Sequence, residues 1–340
     1  MRVFKEFQLD EACELLIEPK NTLVIFHVRP DADAIGSAFA LKLVLEAMGS
    51  KTLCTCESEI PSRLAFLTEK HQRSARFDNI DRSFEFERVV TVDTASPSQL
   101  GTLYPYFEGK IDLMIDHHSN CTKYADNYIR ADYAASGEII FEIATRLQEM
   151  GALGEIPRDA YDLIYAALSS DTGCFKYSNV SSHTHLCAAE LIKAGIDAAE
   201  INHRLFDCKS EKMLAAEAVG FQNIHFYNNR KIAAVLFPYE LKEKLELEDE
   251  HLETLVDIAR AVDGVKIAMS VRQSTAYRSF RISLRSSCAF DVSVVAKHFG
   301  GGGHTKAAAC TIEADSIEFA TRLVVDEIMR RWGKNYTQQY

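Results

Sequence analysis

The first half of the chain alternates short, uninterrupted apolar runs with helical patterns, and this alternation restricts the fold more than any other feature. The apolar runs lie at residues 22–27, 51–56, 88–92 and 111–115. A strand without a polar side is buried on both faces, which is typical of a parallel sheet covered by helices. Helical patterns that can supply this cover lie at residues 34–48, 136–150 and 158–169. The sequence therefore predicts an α/β domain on a mainly parallel sheet with helices on both faces.

The second half has a different pattern. Apolar runs at residues 223–227 and 231–237 are separated by three residues and predict a hairpin. Further strands are predicted at residues 265–273, 277–285 and 305–312, with helical patterns between and after them. Paired strands with helices favour a smaller α+β domain at this end of the chain.

A helical segment separates the two patterns. Residues 183–221 contain no strand signal, and a length of 340 residues is sufficient for two compact domains. We expect a first domain at residues 1–185, a helical linker at residues 186–221 and a second domain at residues 222–335.

Composition excludes several classes of protein. The chain has 38 Lys and Arg against 49 Asp and Glu, a net charge of −11, whereas a protein that binds long duplex nucleic acid usually has a basic surface. No apolar run approaches the ~18 residues of a membrane-spanning helix, and the first residues do not resemble a secretory leader. The nine cysteines include no Cys-x-x-Cys pair, which favours reduced thiols in the cytoplasm.

Acidic and imidazole side chains cluster where predicted strands or helices end. They are His27, Asp31, Asp33, Asp93, Asp116, His117, His118 and Asp171. Any one of the aspartates alone is more simply interpreted as a helix cap or a turn former, and the pair of adjacent histidines alone as a surface or packing feature. In an open parallel sheet, however, ligands bind at the carboxyl ends of the strands. We therefore expect these groups to converge on one edge, and we expect Ser136 to cap the helix that follows it.

Five carboxylates and three imidazoles in one cleft repel one another unless cations neutralise them. Two divalent ions would do so. A donor set of carboxylates and imidazoles without thiolate favours Mn²⁺, with Mg²⁺, Co²⁺, Fe²⁺ and Zn²⁺ as alternatives. Paired metal ions are the usual apparatus for the hydrolysis of phosphate esters.

The order of these clusters resembles a known family. Residues 27–37, Asp93, residues 116–118 and residues 171–173 are similar to the four motifs of the DHH phosphoesterases. Residues 300–309 are similar to the glycine-rich signature of the DHHA1 domain, which binds substrate in one DHH branch. The resemblance covers nearly the whole chain. Together with residues 171–179, it is strongest to the nano-RNase branch, whose members degrade very short RNA to mononucleotides and dephosphorylate 3′-phosphoadenosine 5′-phosphate.

The resemblance implies a role for each residue of the cluster. One metal ion would be held by His27, Asp31 and Asp93. The other would be held by Asp33, Asp93, His117 and Asp171, so that Asp93 bridges the two ions. Asp116 would orient neighbouring groups, and His118 would contact the scissile phosphate, which makes His118, Asp116 and Asp93 the catalytic residues.

The second domain carries a local positive charge. Residues 264–310 contain seven Lys and Arg and one acid, Asp291, within an acidic chain. Strand alternation places Arg281 and Arg285 on one face, where their guanidinium groups could bind phosphate. The resemblance adds further substrate-binding candidates, namely Gly301, Gly302, Gly303 and His304. Ala309 stands where the family usually has glycine, and the large Arg29 departs from the first motif.

This charge distribution favours a short anionic ligand over a long polymer. We expect short RNA and mononucleotide bisphosphates as ligands, held by both domains, and neither duplex nucleic acid nor membrane as a partner. A cyclic- or linear-dinucleotide phosphodiesterase remains the main alternative. An inorganic pyrophosphatase lacks the glycine-rich signature, a single-strand exonuclease needs further binding domains, and a non-catalytic nucleotide sensor would be expected to have lost metal ligands. A homodimer stays open.

Overall fold

The computed structural model of the protein describes residues 3–72, 74–80, 83–275, 277–303 and 305–336, with side chains described as far as Trp332. The chain divides into two compact units, Met1–Cys208 and Lys209–Tyr340, here called unit 1 and unit 2. The division lies within the segment for which we predicted a helical linker. The exact bounds of that linker stay a prediction.

Unit 1 is built on a parallel sheet. Its strands are β1 (Thr22–Ile25), β2 (Thr52–Thr55), β3 (Arg88–Val92), β4 (Leu113–Asp116) and β5 (Asn127–Ile129). They pair in the order β2-β1-β3-β4-β5, and every pairing is parallel. The four predicted strands are confirmed. The short β5 was not predicted, because its three residues include a buried asparagine and form no apolar run.

The helices of unit 1 cover this sheet. They are α1 (Leu9–Ile17), α2 (Ala32–Ala47), α3 (Tyr104–Phe107), α4 (Ser136–Glu149), α5 (Arg158–Asp171), α6 (Ser182–Lys193) and α7 (Ala198–Asn202). The unit also contains 3₁₀-helical segments at Ser62–Leu67, Phe77–Asn79 and Pro97–Leu103 and a π-helical turn at His203–Asp207.

The two faces of the sheet are covered differently. Val24, Val90 and Ile115 lie in one core with residues of α1, α2, α4 and α5. On the opposite face, alternate strand residues such as Leu23 and Met114 pack against the Pro97–Leu103 segment and α3. The prediction of helical cover on both faces is therefore confirmed, with much shorter helical segments on the second face.

Unit 2 contains a six-stranded mixed sheet. Its strands are β6 (Ile224–Tyr227), β7 (Ile232–Phe237), β8 (Ile267–Gln273), β9 (Ser279–Ser286), β10 (Gly302–Gly303) and β11 (Ala307–Glu313). The order is β10-β11-β9-β8-β7-β6; β7 and β8 are parallel, and the other neighbours are antiparallel. The antiparallel pairing of β6 with β7 confirms the predicted hairpin.

The helices of unit 2 leave part of one sheet face accessible. They are α8 (Glu211–Gln222), α9 (Tyr239–Lys244), α10 (Leu255–Arg260), α11 (Ser293–His298) and α12 (Ile317–Tyr336), with a further short turn at Asp249–Leu252. Residues of α11 and α12 share a core with Ile282 and Cys310 on one face. On the other face, α8 and α10 pack on β7 and on Ala268 of β8. The side chains of β9 on that face are partly exposed.

None of the helices within the described ranges is both long and apolar enough to cross a membrane. All nine cysteines lie in the described part of the chain, and all are free thiols.

Close packing of α2 against α5 fixes the distance between the two helices that carry Asp33 and Asp171. The contact depends on Gly36, because a Cβ at this position would lie 2.5 Å from the carbonyl oxygen of Leu163 and 3.1 Å from the Cβ of Ala167. A side chain at residue 36 would therefore push the two helices apart.

Replacement of Gly36 by alanine should destabilise the protein, because the backbone of α5 cannot move as a flexible side chain would. The expected cost is about 1–3 kcal/mol, a fall of roughly 2–4 °C in Tm for each kcal/mol in a unit of this size. Thermal unfolding of the metal-free protein measures it. Gly154→Ala is the matched control, since a Cβ at Gly154 would meet nothing within 4 Å. Equal Tm values for the two variants would contradict the packing argument.

Candidate metal centre

The predicted acidic and imidazole residues meet at the carboxyl edge of the unit 1 sheet. His27 follows β1, Asp93 follows β3, and Asp116 ends β4 and leads into His117 and His118. The remaining three lie at helix ends: Asp31 is the N-cap of α2, Asp33 is in its first turn, and Asp171 is the last residue of α5. The convergence that we predicted from the strand ends is what the structure shows.

Three overlapping groups have ligand atoms within 4.8 Å of one another among the described residues. They are His27, Asp31 and Asp93; Asp33, His117 and Asp171; and Asp93, His117 and His118. The first two groups correspond to the two ion positions that the family resemblance implies. His118 also lies within ligand distance of Asp93 and His117, so its role has to be separated from theirs by experiment.

Asp93 faces both ligand groups with different oxygens. Its Oδ2 lies 3.4 Å from Nε2 of His27, and its Oδ1 lies 3.6 Å from Nε2 of His117. Nε2 of His117 is also 3.6 Å from Oδ2 of Asp33 and 3.4 Å from Oδ2 of Asp171. This arrangement fits a carboxylate that bridges two cations.

The two imidazoles are oriented as metal ligands usually are. Nδ1 of His27 lies 2.8 Å from the carbonyl oxygen of Val28, and Nδ1 of His117 lies 3.3 Å from that of Tyr133. A carbonyl can only accept, so each Nδ1 carries the proton and each Nε2 is directed toward the carboxylates. Such hydrogen bonds fix the tautomer of metal-binding histidines.

The electrostatics of the cluster fit the binding of cations. Burial and the neighbouring charge of Asp93 raise the pKa of Asp33 to about 7. Burial and the charge of Asp33 raise the pKa of Asp171 well above its usual value. Burial opposes a charged His27, but nearby carboxylates outweigh it and raise the pKa of this imidazole. Protons thus offset the negative charge of the metal-free site, and divalent cations would replace them.

Asp116 has a different set of partners from the ligand carboxylates. It is fully buried, and its Oδ1 accepts a hydrogen bond from Nδ1 of His118 at 2.6 Å and from the backbone N–H of His117 at 2.8 Å. Its Oδ2 accepts from the thiol of Cys121 at 2.9 Å. Burial works against a charged His118, but Asp116 outweighs it and raises the pKa of this imidazole. Asp116 therefore orients His118 and favours its protonated form.

Ser136 makes a contact that the sequence did not predict. Its expected role as the N-cap of α4 is wrong: Ala135 is the N-cap, and Ser136 is the first helical residue. The backbone N–H groups of Ser136 and Gly137 donate instead to Asp33, at 2.8 and 3.0 Å. A carboxylate from α2 thus satisfies the start of α4, which no local pattern in the sequence reveals.

The backbone adopts left-handed conformations at Asp93 and in the turn that follows Asp171. Asp93 has a φ of 57°, and the glycine, cysteine and phenylalanine that follow Thr172 have φ values of 56°, 57° and 60°. Non-glycine residues adopt this region at a cost that functional sites often carry. The side chain of Asn179 holds this turn by donating to the carbonyl oxygens of Asp171, at 3.0 Å, and Ala134, at 3.2 Å.

The predicted substrate residues of unit 2 lie on and beside β9. Arg281, Ser283 and Arg285 share the partly exposed face, as strand alternation predicted. Ser283 pairs in register with Ala309, and Ala309 with Gly302, so the methyl group of Ala309 stands on the face that carries the arginines.

The glycine run lies close to β11. A Cβ at Gly301 would lie 2.1 Å from the carbonyl oxygen of Ala309, so this approach requires glycine. Gly303, in β10, pairs with Ala308. His304 lies outside the described residues.

Comparisons with known proteins agree with this architecture. The model described as "DHH family, N-terminal domain" matches residues 21–168, and that described as "DHHA1 domain" matches residues 229–330. A Streptococcus mutans protein named "Probable bifunctional oligoribonuclease and PAP phosphatase NrnA" is 30% identical over 85% of this chain and 88% of its own length. A Bacillus subtilis protein named "Bifunctional oligoribonuclease and PAP phosphatase NrnA" is 28% identical, over 87% and 92% respectively.

A solved structure has the same fold. The crystal structure of an exopolyphosphatase-related protein from Bacteroides fragilis superposes with a TM-score of 0.86 and covers 95% of both chains. The sequence identity is 21%, so this likeness concerns the fold alone.

Asp93→Ala should be the most damaging single substitution in the centre, because it removes the two oxygens that face His27 on one side and His117 on the other. We expect loss of divalent-ion binding and of metal-dependent activity, measured by metal analysis after buffer exchange and by turnover with Mn²⁺. Asp31→Ala is the control: this half-exposed carboxylate belongs to one group and should cost less. Circular dichroism of the metal-free variants separates loss of metal from loss of fold. Turnover near the wild-type level in Asp93→Ala would refute the dinuclear centre.

His117→Ala and His118→Ala should have different effects. If His118 contacts phosphate and does not hold metal, its loss leaves metal content nearly unchanged and lowers kcat by about 10²–10³, as expected when one donor to the transition state is removed. His117→Ala should instead lose bound metal. Metal analysis and steady-state kinetics of both variants test this difference. The same loss of metal in both would show that His118 is a ligand.

Proposed function

The chain belongs to the DHH family, and on that premise we propose that it is a metal-dependent phosphoesterase that hydrolyses short oligoribonucleotides to mononucleotides and removes the 3′-phosphate of 3′-phosphoadenosine 5′-phosphate. The printed names of its relatives from Streptococcus mutans and Bacillus subtilis, oligoribonuclease and PAP phosphatase, support this substrate class. The observation that carries the proposal is the position of Asp93, which belongs to the group of His27 and Asp31 and whose Oδ1 lies 3.6 Å from Nε2 of His117.

The cofactors in this proposal are two divalent ions, with Mn²⁺ favoured because the donors are carboxylates and imidazoles. His27, Asp31 and Asp93 would hold one ion, and Asp33, Asp93, His117 and Asp171 the other. Bound ions of this kind supply Lewis-acid stabilisation of phosphoryl charge and an activated water. The protein contributes the fixed geometry of the ligands in a largely buried site.

His118 would stabilise the charge that develops on the phosphoryl group. Its Nδ1–H donates to Asp116, and this contact favours the imidazolium form, in which the opposite nitrogen, Nε2, also carries a proton. That N–H can donate to a phosphoryl oxygen of the substrate. Asp116 contributes by holding the ring of His118 in one orientation.

The arginine face of unit 2 would bind the substrate through its other anionic groups. Arg281 and Arg285 have planar guanidinium groups that match phosphate oxygens in pairs. Their positive charge is concentrated on one strand of a chain whose net charge is −11. We propose that Gly301, Gly302, Gly303 and His304 complete this binding surface, as the DHHA1 resemblance implies.

The compartment proposed for this activity is the cytoplasm. The nine free thiols support it, because thiols persist in reducing compartments.

A substrate panel with Mn²⁺ tests the function. We expect rapid hydrolysis of linear dinucleotides and of 3′-phosphoadenosine 5′-phosphate, with slower hydrolysis of cyclic dinucleotides and of pyrophosphate. Preferred hydrolysis of cyclic dinucleotides would favour the main alternative. Absence of turnover on every member, with metal bound, would instead indicate a nucleotide sensor, although all six proposed ligands are present in this chain.

Substrate length should affect the rate strongly, because the arginine face is local and the remainder of the chain is acidic. With 5′-labelled RNA of graded length at physiological salt, we expect kcat/KM to fall steeply beyond a handful of nucleotides. Electrostatic repulsion between the acidic protein and a long polyanion contributes to this fall, within a Debye length of ~8 Å. Equal processing of dinucleotides and 24-mers would overturn this proposal and favour a processive exonuclease.

Arg285→Ala is the matched variant for this measurement. It should raise KM for dinucleotides while metal content stays unchanged, because Arg285 lies in unit 2 and belongs to none of the ligand groups. An unchanged KM would exclude Arg285 from substrate binding.

A further inference from the structure

Ser136 contacts two carboxylates of the proposed metal centre at once. Its backbone N–H donates to Oδ2 of Asp33 at 2.8 Å, and its hydroxyl donates to Oδ1 of Asp93 at 3.0 Å. The residue is fully buried at the start of α4. These two contacts come from one residue that none of the ligand groups includes.

The hydroxyl of Ser136 is available to Asp93 because α4 does not use it as a cap. A serine at the N-cap position normally turns its oxygen toward the first N–H groups of its own helix. Here Ala135 occupies that position, and Asp33 accepts from the N–H groups of Ser136 and Gly137. The side chain of Ser136 therefore points to a carboxylate on a different element of the fold.

The contact matters because the χ2 torsion of an aspartate, which sets the direction of its two carboxylate oxygens, has only a broad intrinsic preference. A bridging carboxylate must present one oxygen to each ion. In this structure, Oδ2 of Asp93 faces His27 and Oδ1 faces His117. The hydrogen bond from Ser136 to Oδ1 holds the carboxylate against rotation between these two directions.

We propose that Ser136 is a positioning residue that fixes the two oxygens of Asp93 and thereby builds the ion site of Asp33, His117 and Asp171. This inference rests on the proposed metal centre. It assigns Ser136 no contact with substrate.

The expected effect follows from what each substitution removes. Ser136→Ala deletes the hydroxyl and keeps the backbone N–H that donates to Asp33. It should lower the affinity for the second Mn²⁺, at the site of Asp33, His117 and Asp171, by about 10–100-fold, the usual cost of losing a group that orients a ligand. The first Mn²⁺, held by His27, Asp31 and Asp93, should bind with nearly wild-type affinity. Ser136→Cys keeps a weak donor in a similar volume and should give an intermediate affinity.

Ser37→Ala provides a matched control. Ser37 is also fully buried, and its hydroxyl donates to Oδ1 of Asp33 at 2.8 Å. Asp33 retains its two backbone N–H donors when this hydroxyl is lost. Its orientation should survive, and the loss of Mn²⁺ affinity should be smaller than in Ser136→Ala.

The test is a titration of the metal-free full chain with Mn²⁺ alone. Isothermal titration calorimetry measures the affinities, and electron paramagnetic resonance detects the bound ions. The wild type should bind two ions and give the spectrum of an exchange-coupled pair. Ser136→Ala should show the coupled spectrum only at about 10–100-fold higher free Mn²⁺. Thermal unfolding of each metal-free variant shows whether the substitution has changed the stability of the fold.

Wild-type affinity for both ions in Ser136→Ala would overturn the proposal. So would equal losses of both ions in Ser136→Ala and Ser37→Ala with equal falls in metal-free Tm, since a general structural role would produce that result. Failure of the wild type to bind Mn²⁺ would contradict the proposed function itself and remove the premise. Because no nucleotide is present, an incorrect substrate assignment cannot affect the outcome.

Discussion

The concentration of negative charge at one sheet edge is the constraint on which the rest of unit 1 depends. Asp33 and Asp116 are fully buried, and Asp93 is nearly so, yet uncompensated carboxylates are costly to remove from water. The structure supplies compensation from several elements: the N-terminal N–H groups of α4 donate to Asp33, and the imidazoles after β1 and β4 face the carboxylates. Burial also raises the pKa of Asp33 to about 7. Bound divalent cations would complete the same balance, which connects the fold to the proposed chemistry.

Much of this architecture could be predicted from the sequence. Continuous apolar runs predicted β1 to β4. The acidic and imidazole residues at strand and helix ends predicted the cluster, because parallel strands bring their carboxyl ends to one edge. The contacts of Ser136 and Cys121 could not be predicted, since each depends on a partner from another element or on the path of a loop. Strand β5 was missed because pairing with β4, rather than apolar content, defines it.

The two proposed binding surfaces, one for metal ions and one for phosphate, lie in different units and carry opposite charge. Unit 1 gathers acids that attract cations, and β9 of unit 2 carries arginines that attract phosphate. Each surface follows from its local fold: strand ends collect ligands from distant parts of the sequence, whereas strand alternation places Arg281 and Arg285 on one face. The register of β9 with β11 also places Ala309 opposite Ser283, on the face that carries the two arginines.

The central claim is that two ions share Asp93 at the carboxyl edge of the unit 1 sheet. The most direct measurement is a crystal structure of the full chain grown with Mn²⁺, with anomalous diffraction data collected at the manganese edge. The account predicts two anomalous peaks separated by about 3.5–4 Å, one on the Oδ2 side of Asp93 beside His27 and one on the Oδ1 side beside His117. A single peak, or two peaks that Asp93 does not bridge, would contradict it.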